Sequence, residues 1–160
     1  MCQKAIYPGT FDPVTYGHID LIKRATNIFE EVVVAVAENR AKKPLFSAKE
    51  RLDMLKQATK GLSGISIEYF DELVVNYARR KKINVIIRGL RMISDFEYEF
   101  QMALTNRKLA QDVETMFLMP SESFSYVSSK LLKEAAQLGA DLKEFVPGFV
   151  EKALKEKLKK

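Results

Sequence analysis

Residues 31–37 read Glu-Val-Val-Val-Ala-Val-Ala, apolar and mostly β-branched at consecutive positions rather than alternate ones. A strand of that kind needs cover on both faces, and parallel sheets obtain it from helices packed above and below. Four other short runs have strand character. Lys4-Ala5-Ile6-Tyr7 comes before it. Ile65-Ser66-Ile67-Glu68-Tyr69, Asn84-Val85-Ile86-Ile87-Arg88 and Glu114-Thr115-Met116-Phe117-Leu118-Met119 come after, the last stopped by Pro120.

The intervening segments carry the helical period. Ile19, Leu21, Ile22, Ala25, Ile28 and Phe29 fall on one face. Ser47 and Glu50 have capping-box spacing, and Leu52, Leu55 and Ala58 follow inward until Gly61. Leu73, Val74, Tyr77 and Ala78 line a third helix. Ser94 and Glu97 offer a second capping box, opening a long helix to about Leu109 with Phe96, Phe100, Ala103 and Leu104 on its buried side. A further helix is expected from about Ser128 to Leu138, with Gly139 in the C-terminal capping position. A last one begins near Pro147 and carries Val150, Ala153, Leu154 and Leu158. Five strands alternating with helices predict a single α/β domain over residues 1–160. It is a doubly wound, Rossmann-like, five-stranded parallel sheet with flanking helices, right-handed crossovers and a C-terminal helix.

Such sheets bind ligands at the carboxyl ends of their strands. Residues 10–18, 38–44, 70–74, 88–95 and 120–129 all follow strands, so all five loops can line one cleft. The first is the most constrained. Tyr7-Pro8-Gly9-Thr10-Phe11-Asp12-Pro13-Val14-Thr15-Tyr16-Gly17-His18 holds two glycines and two prolines. It sets Thr10 just past a strand and His18, the sole histidine, at a helix start. Unpaired amides at a helix N-terminus suit a phosphate. Taken by itself, His18 reads more simply as a helix-start residue that caps those amides or sits on the surface.

The other loops supply Lys42, Arg88, Arg91, Ser128, Ser129 and Lys130. Neither a Walker-type phosphate loop nor a G-x-G-x-x-G string is present, and no Cys/His cluster has zinc spacing. Cations and hydroxyls remain, equipment for holding phosphates rather than for covalent catalysis. Each has a plainer reading: Arg88 and Arg91 can pair with Asp95 or Glu99, a Lys42-Lys43 pair can be solvated, and Ser128-Ser129 can cap a helix.

Together these strings resemble a known family. Thr15-Tyr16-Gly17-His18 looks like the T-x-G-H signature of the HIGH-type nucleotidyltransferases. YPGTFDPVTYGHIDLIKRA, KKPLF, IIRGLR…DFEYEFQMALTNRKL and Val127-Ser128-Ser129-Lys130-Leu131-Leu132-Lys133 resemble the matching segments of bacterial phosphopantetheine adenylyltransferases. The likeness spans about residues 5–158. It implies adenylyl transfer from ATP to 4′-phosphopantetheine, giving dephospho-coenzyme A and pyrophosphate, the penultimate step of coenzyme A synthesis, with Mg²⁺ carried by ATP. By the resemblance, His18, Lys42, Thr10 and Arg91 serve catalysis. Thr10, Lys42, Val74 and Arg88 hold the acceptor. ATP is bound by Thr10, Phe11, His18, Gly89, Leu90, Arg91 and Glu99, with Phe124, Ser125, Tyr126, Val127, Ser128, Ser129 and Lys130. Lys130 stands where the family motif has Ser or Thr, leaving open whether Lys130 or Lys133 reaches a phosphate. A homohexamer and feedback inhibition by coenzyme A are also implied. Within enzymes, the other reading is a nicotinate-nucleotide adenylyltransferase or a cytidylyltransferase. From another class, a non-catalytic basic module would bind nucleotide or RNA.

The charge of +5 owes part of its excess to lysines of the tail, which alternate with Glu151 and Glu156 as a solvated face does. No nucleic-acid partner is expected, since basic and aromatic residues do not interleave. No apolar run reaches bilayer length and no signal pattern opens the chain. A lone cysteine, Cys2, suits a reducing compartment. The expected location is the cytoplasm, without a membrane partner.

Overall fold

Strand β1 (Lys4–Gly9) lies at the centre of the sheet, with β2 (Glu31–Ala37) on one side and β4 (Val85–Gly89) on the other. Strands β3 (Ile65–Phe70) and β5 (Glu114–Leu118) form the edges, giving the order β3-β2-β1-β4-β5. Every pairing is parallel. The structure is a computed structural model and describes residues 3–38 and 43–159.

Alternate residues of each central strand enter different cores. Tyr7, Val34, Val36 and Ile87 pack with Leu21 and Ile22 of α1 (Tyr16–Thr26), Leu55 of α2 (Ala48–Ala58), Leu132 of α5 (Ser129–Gln137) and Leu154 of α6 (Gly148–Leu158). Ile6, Val33, Ala35 and Ile86 pack on the opposite face with Val75, Tyr77 and Ala78 of α3 (Val74–Lys81). Helix α4 (Ile93–Leu109) connects β4 to β5. The chain winds outward from β1 in both directions, so the crevice of the topological switch lies beyond the ends of β1 and β4.

Four local expectations need correction. Helix α4 starts two residues earlier than the Ser94–Glu97 box requires: Met92 is its N-cap and no side chain caps it. Its Phe96, Phe100 and Leu104 are 45%, 46% and 47% exposed, and Glu99 is its one buried residue. The apolar residues of α4 ring the helix, so a single chain leaves much of that surface uncovered. Leu73 precedes α3 and is exposed, while Val75 takes the inward position. Ile28 is half exposed because α1 ends at Thr26, before the helical face reaches it.

Glycine has a definite reason at two positions. Gly139 follows α5 with φ +82, a backbone shape a side chain resists. A Cβ on Gly89 would stand 2.5 Å from Leu21 Cδ1, so its absence lets the end of β4 lie close against α1.

Candidate active site

The capping box Thr15-Tyr16-Gly17-His18 builds the centre of the site. Thr15 is the N-cap of α1, and its Oγ1 accepts from the His18 amide at 3.3 Å. In return, His18 Nδ1 accepts from the Thr15 amide at 3.1 Å, and Thr15 Oγ1 lies 3.1 Å from the same nitrogen. A histidine here takes the place of the Glu or Gln that usually closes such a box. Because Nδ1 accepts a backbone N–H, the neutral ring carries its proton on Nε2. The capping reading of His18 therefore holds, and it leaves the second ring nitrogen as a donor.

Burial first, and the Arg91 guanidinium second, together lower the His18 pKa from 6.5 to about 4. Edge-on contact with the Phe11 ring, 5.0 Å between centroids, helps exclude water. The imidazole is then neutral at physiological pH. Between pH 6.5 and 4 the unfolded chain binds a proton that the folded chain refuses, so stability falls as pH drops through that window and levels off below it. The effect is of order a few kcal/mol. Because there is one histidine, its NMR titration is unambiguous: the ring signals are expected to stay unshifted down to about pH 5, with ¹⁵N shifts of an Nε2–H tautomer. A midpoint near 6.5 would show a solvated ring.

A cleft of about 840 Å³ opens at the carboxyl ends of β1 and β4. The first loop lines it with Thr10, Phe11, Asp12 and His18. Phe11 adopts φ +50 and packs its ring against Tyr7 and His18, so only its backbone is free to meet a ligand. The end of β4 adds Arg88 and Gly89, and the next loop adds Arg91. Val74 enters from α3. The segment after β5 brings Phe124, Val127, Ser128, Ser129, Lys130 and Lys133.

Arg88 is held from two sides. Its Nε and Nη2 donate to the two carboxylate oxygens of Glu99, each at 2.7 Å, and Nη1 donates to the Pro8 carbonyl at 2.9 Å. Glu99 is thus occupied in orienting Arg88. Arg91 pairs with Asp95 through Nε at 3.0 Å and donates from Nη1 to the Val127 carbonyl at 2.7 Å. Ser128 is the N-cap of α5, and Ser129 Oγ instead donates to the Pro13 carbonyl at 2.8 Å. Lys133 Nζ lies 2.6 Å from Asp12 Oδ2, whereas Lys130 is exposed at the rim.

Three expected residues do not line the cleft. The Leu90 amide donates to the Leu118 carbonyl, extending the β4–β5 pairing. Ser125 Oγ donates to the Glu122 carbonyl within a 3-10 turn (Glu122–Phe124) and its cap. Tyr126 is 60% exposed, its ring edge-on to Phe145. Lys42 lies outside the described residues.

Sequence alone does not single out Asp12, in the loop itself, or Arg51, behind it, both nearly or wholly buried. Arg51 left one signal, a charge in register with Leu55 and Ala58 on the inward face of α2. Tyr98, Met102 and Asn106 of α4 also line the cleft, and they recur at a helical interval of four.

The family model described as Cytidylyltransferase-like matches residues 6–135. The phosphopantetheine adenylyltransferase of Caldanaerobacter subterraneus subsp. tengcongensis is 58% identical over 156 residues, covering 98% of this chain and 98% of that protein. The chain belongs to the phosphopantetheine adenylyltransferase family. The phosphopantetheine adenylyltransferase of Thermodesulfovibrio yellowstonii is 52% identical over the full length of both proteins. A solved Plasmodium falciparum nicotinic acid mononucleotide adenylyltransferase, complexed with NaAD, superposes with a TM-score of 0.70 over 98% of this chain and 96% of that one. At 16% identity it shows a shared fold alone. As a phosphopantetheine adenylyltransferase, the chain is a nucleotidyltransferase.

The division of work between the two serines can be tested. Ser128→Ala removes the cap and is expected to cost about 1 kcal/mol of stability with little change in KM for ATP. Ser129→Ala is expected to raise KM for ATP roughly fivefold with a smaller loss of stability, since it frees α5 from the first loop. Thermal unfolding and initial rates separate the two. A Ser129→Ala variant that loses stability but keeps its KM would make this serine a structural tie only.

Proposed function

We propose that this cleft transfers the adenylyl group of MgATP to the phosphate of 4′-phosphopantetheine, releasing pyrophosphate and dephospho-coenzyme A. An acceptor phosphate oxygen forms the new bond to the α-phosphorus. The α–β phosphoanhydride bond breaks and pyrophosphate leaves with the electron pair. The acceptor is already an anion, so no protein nucleophile is needed. The barrier lies in bringing two polyanions together and in the charge that shifts onto the transferring phosphate.

The observation that carries this reading is the fixed tautomer of His18. Its Nδ1 is engaged by Thr15, which leaves a neutral Nε2–H donor in a cleft flanked by Arg88 and Arg91. In our reading that donor, with Thr10 and Lys42, meets charge developing on the α-phosphate. Arg88, steered by Glu99, holds the acceptor phosphate with Thr10 and Lys42, and Val74 lies along the pantetheine arm. Arg91, the backbone of Phe11 and Gly89, and residues of the 124–130 segment hold ATP. Leu90, Ser125 and Tyr126 would support that segment from outside the cleft.

Mg²⁺ enters as part of the substrate. Among the described residues no group of three His, Cys, Asp or Glu side chains could hold a metal ion, and an ion coordinated by the triphosphate needs no such cage. Coenzyme A presents both halves of the reaction to one cleft, which suits it to inhibit by occupying that cleft. A hexamer would cover the exposed face of α4, where Phe96 and Phe100 stack at 5.4 Å. Among the described residues no helix is long and apolar enough to cross a membrane, and we place the enzyme in the cytoplasm.

The function is tested by pyrophosphate release from ATP. Release is expected with 4′-phosphopantetheine and Mg²⁺, and loss is expected when the metal is chelated. Release of equal rate without any acceptor would mean ATP hydrolysis and would contradict the proposal.

A further inference from the structure

Arg51 is fully buried, an expensive place for a charge unless the surrounding groups compensate it. Here the compensation comes from main-chain carbonyls. Nη1 donates to Thr10 at 2.8 Å and to Ala37 at 2.9 Å, and Nε donates to Phe46 at 3.1 Å. Nη2 has no hydrogen-bond partner among the described residues, and its ion-pair partner, Glu38, is 3.6 Å away. One guanidinium therefore joins the residue after β1 to the end of β2, the strand ends where the cleft opens.

The bond to Thr10 has a particular consequence. The Thr10 carbonyl belongs to the peptide that leads into Phe11, and Phe11 sits at φ +50. A bulky residue holds that conformation only where its surroundings enforce it, at a cost of about 1–3 kcal/mol. Relaxing Phe11 to a negative φ would turn the Thr10–Phe11 peptide and swing its carbonyl away from Arg51. Asp12 secures the other side of the turn: its Oδ2 and Oδ1 accept the Leu45 and Phe46 amides, each at 2.9 Å. Leu45-Phe46 and Arg51 thus grip residues 10–12 from one direction, while Ser129 and Lys133 grip residues 12–13 from α5.

We propose that Arg51 is a positioning residue for adenylyl transfer: by holding the Thr10–Phe11 peptide in its strained orientation, it presents the Thr10 side chain to the reacting phosphates. The inference rests on the role given to Thr10 above. Only a planar fork reaches three carbonyls at once, and a lysine ammonium in the same space cannot satisfy all of them.

The test is a double-mutant cycle of Arg51→Lys and Thr10→Ala, with Arg51→Gln as a second replacement. Folding is checked by circular dichroism, and kcat and both KM values are measured well below the melting transition. Arg51→Lys is expected to lower kcat about 10–10²-fold, since small misplacements of reacting groups carry penalties of that size. KM for ATP should move much less. In the Thr10→Ala background the same replacement should change kcat by less than about twofold, because the group it positions is gone. Equal losses of kcat in both backgrounds would overturn the inference while leaving the role of Thr10 intact. An unchanged kcat in Thr10→Ala alone would overturn the role of Thr10 itself. Failure of both Arg51 variants to fold would assign the residue to stability alone and overturn the proposal.

Discussion

Replacing His18 with alanine is expected to lower kcat by about 10²–10³-fold while KM for ATP stays within a few-fold of the parent. The asymmetry follows from where the interaction is used. A neutral Nε2–H gains most as charge moves onto the transferring phosphate, so its loss appears in the transition state rather than in the ground state. Nδ1 also caps α1, so the variant should lose about 1 kcal/mol of stability as well. His18→Gln separates the two effects. Its amide oxygen can accept the Thr15 N–H and restore the cap, but the side chain lacks a ring to place a donor on the far side. Stability should return while kcat does not. Steady-state kinetics with a parallel melting curve makes the comparison. A normal kcat in His18→Ala would leave the residue as a cap and nothing more.

Arg88→Ala is expected to reduce kcat/KM for 4′-phosphopantetheine by about 10²–10³-fold, mostly through KM. Part of that loss is the missing anchor. Part is Glu99, whose carboxylate is bound by the guanidinium in the intact site and would otherwise face the incoming anion alone. Removing one member of a partly buried pair typically costs about 2–5 kcal/mol for this reason. Arg88→Lys should not restore the parent value, because a point charge cannot hold both Glu99 oxygens and the Pro8 carbonyl while also meeting a phosphate. Adding Glu99→Gln to Arg88→Ala should recover roughly tenfold by lifting the repulsion. If Arg88→Ala retains the parent kcat/KM, the Arg88–Glu99 pair is a structural bridge.

Much of this architecture was legible in the residues. The unbroken apolar run at 32–37 required cover on both faces, and the helices on either side of the sheet provide it. His18 was legible at a helix start because an apolar helical face begins at Ile19, the next residue. What spacing could not show was the direction of the ring, which depends on the Thr15 amide. Nor could it rank Arg88 as an ion-pair partner against a phosphate ligand. The geometry pairs it with Glu99 and still leaves part of its five-donor fork for a ligand.

Helix α4 misled for a physical reason. The period of Phe96, Phe100 and Leu104 points them inward, yet the rest of the chain can cover just one side of a helix whose apolar residues are scattered around its axis. The outer side is left to whatever the chain assembles with. Asp12 and Arg51 escaped notice because their partners are backbone groups, and a sequence does not display which amides and carbonyls a fold leaves unpaired.

This cleft is expected to select an acceptor by its phosphate and to join it to an adenylyl group. The most direct measurement is a competition in one vessel. ATP, Mg²⁺ and equal concentrations of 4′-phosphopantetheine, unphosphorylated pantetheine and nicotinate mononucleotide are mixed with the enzyme, and adenylylated products are resolved by mass spectrometry. Dephospho-coenzyme A is expected as the dominant product, with pantetheine unreacted because it lacks both anchor and nucleophile. Predominant formation of nicotinate adenine dinucleotide would contradict it.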